Sequence, residues 1–391
     1  MIRVAVVQRQ VLHYRYPYFR LLSQQPGLQV TVLTNAVGQG VPAAGERDLE
    51  IRVFPSTSVD FHWGSKHYRF PLSWPLAHAV AKGGYDAVIL EGSTNMVMNL
   101  AIVPWARWKG MAVFIHDAGR RRNTKVTLLR RLADPFFSCQ LRLSHGVIAY
   151  GTLAAAFLRK MAGPRVPIVI AQNAIDMTEI ATDLDSARCR SEAAEIRNSL
   201  PGGDGPVLLS VGALERRKKI DQLIEAYRMA RRTISGLRLA IIGDGPDRGR
   251  LETLAEGDPG VTFAGAIIAG VGRWFQMADL FVLPSEGGLA INQAMAYGLP
   301  VIATSADGTE IDLVRNGETG MLADEDDVDA IAAAITTILS DPARAKAMGE
   351  AARAFIMSEV TLDRMVANVV RLLAATRFPE LAGAKGAAHA V

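Results

Sequence analysis

Cysteine is nearly absent from this 391-residue chain, which has only Cys139 and Cys189. Two isolated thiols give neither a disulfide framework nor metal-ligand spacing, so small secreted scaffolds and zinc modules are excluded. Long apolar runs are missing too. The best one, Met96 to Trp105, is interrupted by Asn99 and Pro104 and falls well short of the ~20 residues that cross a bilayer. The opening MIRVAVVQRQ turns polar after one short strand and has no signal-peptide core, so a reducing cytoplasm is the expected setting. There is no GxxxxGK[ST] loop, and GDGPDRG (Gly243 to Gly249) departs from the GxGxxG dinucleotide fingerprint.

What is present is charge of two signs, unevenly spread. Residues 1–172 carry 21 Lys and Arg against 8 Asp and Glu, while the whole chain has 43 against 39. A basic first half joined to an acidic second half implies an anionic partner for the first. A membrane surface or a lipid-linked diphosphate fits, and nucleic acid ranks last because no binding module is recognisable. With 49% hydrophobic residues, the chain can fill about two cores at roughly 150 residues per domain.

Apolar strand-like runs near 2–7, 29–33, 87–91, 112–116, 146–149 and 167–171 alternate with helical patterns at 15–25, 73–82, 94–107, 124–143 and 151–161. The same alternation resumes from Val207 to about Leu339. This predicts an α/β protein of two doubly wound, Rossmann-like parallel-sheet domains. Residues 1–173 form the first and 206–355 the second, with 174–205 as a linker containing one helix. A tail at 377–391 has little to bury and is expected to be disordered.

The richest segment is FVLPSEGGLAINQAMAYGLPVIATSADGTE, Phe281 to Glu310. It reads as buried strand, glycine-containing loop, helix, turn and strand, the unit that binds ligands at the carboxyl edge of a parallel sheet. Gly287 and Gly288 permit close approach to backbone, and the amides at the next helix start suit an anion. Glu286 is placed to accept from hydroxyls. Sugar plus phosphate is the chemistry this pattern suits.

This segment resembles the donor-binding signature of GT-B-fold retaining glycosyltransferases of the family-4 type. VGALERRKKIDQLIEA (Val211 to Ala226), LAIIGDGP (Leu239 to Pro246) and FAGAI (Phe263 to Ile267) follow the same family in order and spacing. The first half matches weakly. The resemblance implies two domains facing across a cleft, the first binding an acceptor and the second a nucleotide-diphosphate-sugar. It also implies a helix at about 356–376 that returns to the first domain. By the same resemblance, Gly212, Arg216, Arg217, Lys218, Gly243, Asp244, Ala266, Ile267, Glu286, Gly287, Gly288, Leu289, Gln293 and Glu310 are the donor-site candidates. Lys218 takes the place of the family's diphosphate-binding lysine. Two positions depart from the pattern: Ala213 stands where the family has arginine, and Gln293 where it has a second glutamate.

His116, at the end of the strand VFIHDAG, resembles a family histidine at the reaction centre, which makes His116, Lys218 and Glu286 the catalytic candidates. Acceptor candidates are Tyr14, Arg15 and Tyr16 together with Arg120 and Arg121; equally, the aromatics near Tyr14 would simply pack a helix. Arg120 to Arg131, with Trp105, Trp108, Phe136 and Phe137, reads either as a membrane or lipid-diphosphate patch or as a solvated helix face. TDLDS (Thr182 to Ser186) reads as a solvated acidic turn and DEDD (Asp324 to Asp327) as charge at a helix start. No cofactor and no essential metal are expected. The implied activity is sugar transfer to a saccharide or lipid-linked saccharide, as in surface polysaccharide, lipopolysaccharide or glycolipid synthesis. Two alternatives stay open: a nucleotide-sugar-binding partner without turnover, and a GT-B-like sugar-nucleotide epimerase.

Overall fold

The computed structural model describes residues 1–63, 66–93, 96–120, 127–267, 269–306 and 308–383. The chain divides into two compact units. The first takes the described part of 1–173 and regains the chain from Leu362; the second takes 174–361.

The first unit runs β1 (Ile2–Val11), α1 (Tyr16–Ser23), β2 (Leu28–Val37), β3 (Glu50–Val53), β4 (Thr57–Trp63), β5 (Lys66–Leu72), α2 (Trp74–Lys82) and β6 (Ala87–Glu91). It continues through α3 (Asn99–Trp108), β7 (Ala112–Asp117), α4 (Leu128–Leu143), β8 (Gly146–Ala149), α5 (Thr152–Ala162) and β9 (Ile168–Ile170). Seven strands form a parallel sheet in the order β3-β2-β1-β6-β7-β8-β9, and β4 and β5 make a separate antiparallel hairpin. Strands covered on both faces lose the polar alternation of half-exposed ones, and all six residues of β7, AVFIHD, are buried. Val88, Leu90 and Val113 pack under α2 and α3, and Ile115 and Val147 under α4 and α5. Ile89, Phe114 and Ile148 face the opposite layer with Phe19 and Leu22 of α1.

The second unit begins with α6 (Thr178–Asp185) and α7 (Ala187–Ser199), then β10 (Val207–Val211), α8 (Ile220–Arg231), β11 (Arg238–Ile242), α9 (Arg248–Leu254) and β12 (Val261–Gly265). It proceeds to α10 (Gly272–Met277), β13 (Leu280–Leu283), α11 (Leu289–Ala296), β14 (Val301–Thr304), α12 (Thr309–Leu313), β15 (Gly320–Ala323), α13 (Val328–Leu339) and α14 (Pro342–Glu359). Its six strands are parallel in the order β12-β11-β10-β13-β14-β15. In each sheet the winding reverses once, between β1 and β6 and between β10 and β13. Ligands of doubly wound sheets bind at the carboxyl ends of the strands flanking such a reversal.

Three expectations need correction. The stretch 174–205 is not a one-helix linker: α6 and α7 pack on the second unit, with Arg273 bound to Glu192 at 2.8 Å and the Tyr297 hydroxyl to Asp183 at 2.6 Å. The helix expected at 356–376 is two: α14 ends at Glu359, and α15 (Leu362–Thr376) follows. The apolar positions of α15, Met365, Val366, Val369, Leu372 and Leu373, recur at helical spacing and join the first unit's core. The tail does not fray at 377, because Pro379–Gly383 makes a helical turn that buries Leu381 against Gly27. Residues 384–391 lie outside the described part.

Candidate donor and acceptor sites

In the second unit, the loops after β10, β11 and β12 are joined backbone to backbone. Gly243 N donates to Gly265 O at 2.8 Å, Leu214 N to Asp244 O at 2.9 Å, and Asp247 N to Leu214 O at 3.0 Å. This approach requires glycine. Gly243 has φ +146°, and a Cβ there would sit 1.8 Å from the Gly212 carbonyl oxygen. Beside this floor, Ala266 is exposed and Ile267 half-buried, while Asp244 points outward and accepts from the Gly245 amide at 2.7 Å.

The basic run divides its labour. Arg216 is exposed and 3.6 Å from Asp247. Arg217 bridges Glu215 and Glu286, and Glu215 is held below the usual carboxylate range mainly by its hydrogen bond from Arg217. Lys219 adopts the left-handed conformation (φ 51°) that turns the chain into α8, and its ammonium is held by Glu325 and Asp326 at 2.6 and 2.7 Å. Lys218 reaches across to the β13–α11 loop, where its Nζ donates to the Glu286 carbonyl at 3.0 Å. The loops after the switch-point strands β10 and β13 therefore bring Lys218 and Glu286 together.

That loop is braced from below. Glu310 is fully buried, and its two carboxylate oxygens accept from the Gly287 and Gly308 amides, each at 2.8 Å. Its placement is that of a positioning group at the start of α12. Gly288, with φ +116°, precedes Leu289 and has no side chain to cap α11, which leaves the helix start to backbone amides. Gln293 lies half-buried one turn further along α11. Ser210, Ser285 and Thr304, at or just beyond strand ends, were not singled out from sequence. Their hydroxyls are buried and lack a protein partner among the described residues. DEDD begins α13 as expected, with Asp327 accepting from Ala330 N at 2.8 Å.

In the first unit, His116 and Asp117 end β7 beside Glu91 of β6. The His116 and Tyr150 ring centroids lie 4.5 Å apart, and the Arg15 guanidinium lies 4.7 Å from the centroid of the same Tyr150 ring. Sequence reasoning missed Tyr150, although its place directly after β8 was the available signal. His116 is buried, and burial with Arg15 nearby keeps it uncharged well below the usual histidine range. Burial pushes the Asp117 carboxyl up to about 7, while Gly119 N donates to it at 2.6 Å.

A raised carboxyl stabilises the fold below its ordinary value of 3.8, and that contribution is lost as pH climbs through about 7. Asp117→Asn retains an oxygen for Gly119 and removes the buried charge. Its melting temperature relative to wild type should therefore rise between pH 4 and pH 8, by on the order of 3 kcal/mol in unfolding free energy. A difference that stays flat across a melting series would contradict the buried charge.

The other acceptor candidates separate clearly. Tyr14 is exposed, but Tyr16 is a core residue whose hydroxyl donates to Asp48 at 2.8 Å. Arg120 is not a free cation: it binds Asp134 at 2.5 Å and lies over Phe157. Arg121 is outside the described residues. Phe137 is buried, whereas Trp108 and Phe136 are exposed. No cluster of His, Cys, Asp or Glu able to hold a metal occurs among the described residues, and no described helix is long and apolar enough to cross a membrane.

Two doubly wound domains, with a glycine floor and a lysine at the second domain's switch point, define a GT-B fold. Anabaena HepE in complex with UDP superimposes with a TM-score of 0.76 at 16% identity, covering 96% of this chain and 100% of that one. Residues 205–341, within the second domain, match the sequence model of the family Glycosyl transferases group 1. The GDP-mannose-dependent alpha-(1-6)-phosphatidylinositol monomannoside mannosyltransferase of Mycolicibacterium smegmatis is 32% identical over 230 residues, 55% of this chain and 58% of the relative. The lipopolysaccharide core biosynthesis glycosyltransferase LpsE of Rhizobium meliloti is 31% identical over 184 residues, 44% of this chain and 50% of the relative. The chain thus spans about half the length of these curated relatives.

Proposed function

We propose that this chain is a retaining glycosyltransferase that moves a sugar from a nucleotide-diphosphate-sugar to a saccharide or lipid-linked saccharide. The observation that carries the reading is Lys218 reaching the Glu286 carbonyl at the mouth of α11. A cation, glycine amides and a helix start converge there on one loop, the equipment for stabilising a departing diphosphate. Glu286 and Gln293 serve the sugar and ribose hydroxyls, and Glu310 fixes the loop that carries Glu286. In the reaction, the acceptor oxygen bonds to the anomeric carbon as the carbon–oxygen bond to diphosphate breaks. The hydroxyl proton passes to the departing phosphate on the same face, which retains configuration. Neutral His116 is suited to hydrogen-bond a sugar hydroxyl. No cofactor and no essential metal enter this scheme.

The mannosyl-phosphatidylinositol and lipopolysaccharide-core activities in the relatives' names support an acceptor of the surface-glycan or glycolipid class, met at the cytoplasmic face of a membrane. The test is a thermal-shift screen against UDP, GDP, ADP, dTDP and their sugars, followed by turnover with the stabilising donor. One nucleotide should stabilise selectively, and its sugar should be transferred to an acceptor. Binding without turnover, with or without acceptor, would favour a nucleotide-sugar-binding partner, the alternative suggested by Ala213 and Gln293. A new sugar nucleotide formed without acceptor would favour an epimerase.

A further inference from the structure

Arg15 follows β1 and stands at the N-terminal cap of α1, a helix start with no side-chain cap and no acidic residue in its first turn. Its Nη1 is buried and has no hydrogen-bond partner among the described residues. The His116 Nε2 is in the same state, on a side chain that is only 2% exposed. Both groups lie against the Tyr150 ring, which holds them side by side. Gln172, just beyond β9, adds a third buried nitrogen without a described partner, at the end of the strand next to β8. These side chains gather at the carboxyl edge of the first sheet, where doubly wound sheets take their ligands.

Charge identifies what this cluster can receive. The carboxylates nearby are engaged elsewhere. Glu91 accepts from the Arg9 amide at 2.9 Å with one oxygen and from the Arg9 side chain at 2.8 Å with the other. Asp117 accepts from Gly119 with one oxygen, and its second lies against Gly92. Burial holds the Arg15 guanidinium below the usual arginine range, the mark of a charge short of compensation. Stacking on Tyr150 recovers only part of what burying a charge costs. A bound anion offsets the rest, and a neutral sugar does not. His116, uncharged beside Arg15, can bond a hydroxyl without adding a second charge.

We propose that Arg15 selects an acceptor saccharide bearing an anionic substituent, a carboxylate or a phosphate, with the guanidinium paired to the anion and His116 bonded to a neighbouring hydroxyl. A planar guanidinium matches either group through two parallel hydrogen bonds. This deepens the proposed sugar transfer and rests on it for the role of acceptor; the anion site itself needs only the first unit. No bond is made or broken at Arg15, which decides which saccharide is held.

The experiment is a saturation-transfer NMR titration of the full chain with glucuronate, glucose 6-phosphate and glucose. Wild type should bind at least one of the two acids about tenfold or more tighter than glucose, and the acid preferred separates a carboxylate source from a phosphate source. Arg15→Met should abolish that preference, and Arg15→Lys should keep part of it. Lys218→Ala should keep it in full, which excludes binding of the acids at the diphosphate site. Arg15→Met should also melt at or above the wild-type temperature, because an uncompensated buried charge is removed; an arginine with a merely structural role would give the reverse. Nucleotide-induced thermal shifts are read on the same samples. Acid preference without any nucleotide response would support the anion site while refuting sugar transfer. No binding of either acid, glucose bound as tightly as both, or a preference that survives Arg15→Met would overturn the proposal. So would a preference that disappears in Lys218→Ala. If Arg15→Met does not fold, the wild-type comparison with glucose and the Arg15→Lys titration still decide.

Discussion

Lys218→Ala should lower the rate of sugar transfer by about 10²–10³-fold, the usual cost of removing one fixed charge from a developing anion. The four basic residues after Glu215 are not equivalent. Arg217 is committed to Glu215 and Glu286, and Lys219 to Glu325 and Asp326. Lys218 is the one that spans from the β10 side of the switch point to the β13 side. Ala213 stands in the arginine position of the motif, and the remaining cation, Arg216, is exposed and 3.6 Å from Asp247. The loss should appear mainly in kcat, because the charge on the leaving group grows as the bond breaks. Lys218→Arg should recover part of the rate. The assay is release of nucleoside diphosphate with donor and acceptor in excess. Unchanged kcat in Lys218→Ala, with melting temperature also unchanged, would place the diphosphate elsewhere.

The second large effect concerns the fold itself. Gly243→Ala should lower stability by about 3–5 kcal/mol, at the high end of single substitutions, and the melting temperature by roughly 10 °C. The new methyl would sit 1.8 Å from the Gly212 carbonyl oxygen, with φ at +146°. Both partners are backbone, so no side chain can swing away. Relief requires separating the β10 and β11 loops and losing the bond from Leu214 to Asp244. Gly249 supplies an internal control in the same segment: it lies in α9, and a Cβ there meets nothing within 4 Å. Gly249→Ala should be neutral or stabilising by about 0.5–1 kcal/mol. Thermal melts of the two variants side by side decide the matter, and equal melts would show that the close approach is not structurally required.

The second domain was legible because its strands are short apolar runs cut off by glycine or proline, as in LFVLP before Glu286 and GLPVIAT after α11. That same punctuation marks the carboxyl edge where the candidate site lies. Legibility failed where stability comes from partners distant in sequence. Only Ala193 of α7 is buried, so no apolar stripe announced that helix; its contacts with α10 give it a place. Likewise, β1 runs on to Val11 because Gln8, Gln10 and Val11 continue the register with β2, although their own sequence turns polar. At the site, Lys218 and Glu286 follow from motif spacing. Glu310 was a donor-site candidate by resemblance, but its hold on the loop was not legible, since its partners are backbone amides that have no residue signature. Nor does a string of letters separate Phe136, which faces outward, from Phe137, which is core.

The return of α15 to the first core has a consequence for biosynthesis. Phe19, Leu22 and Ile148 emerge early from the ribosome, yet Val366, Val369 and Leu373, which cover them, come near the end. Roughly 190 residues separate Asn173 from Leu362, which at ~5–20 residues per second is about 10–40 s of translation. Throughout that interval the nascent first domain has an uncovered apolar face, while the second domain, contiguous in sequence, has every strand it needs before α15 is made. Synthesis should therefore complete the second domain first, reversing the order of the chain, and the early half is the natural client for a ribosome-bound chaperone.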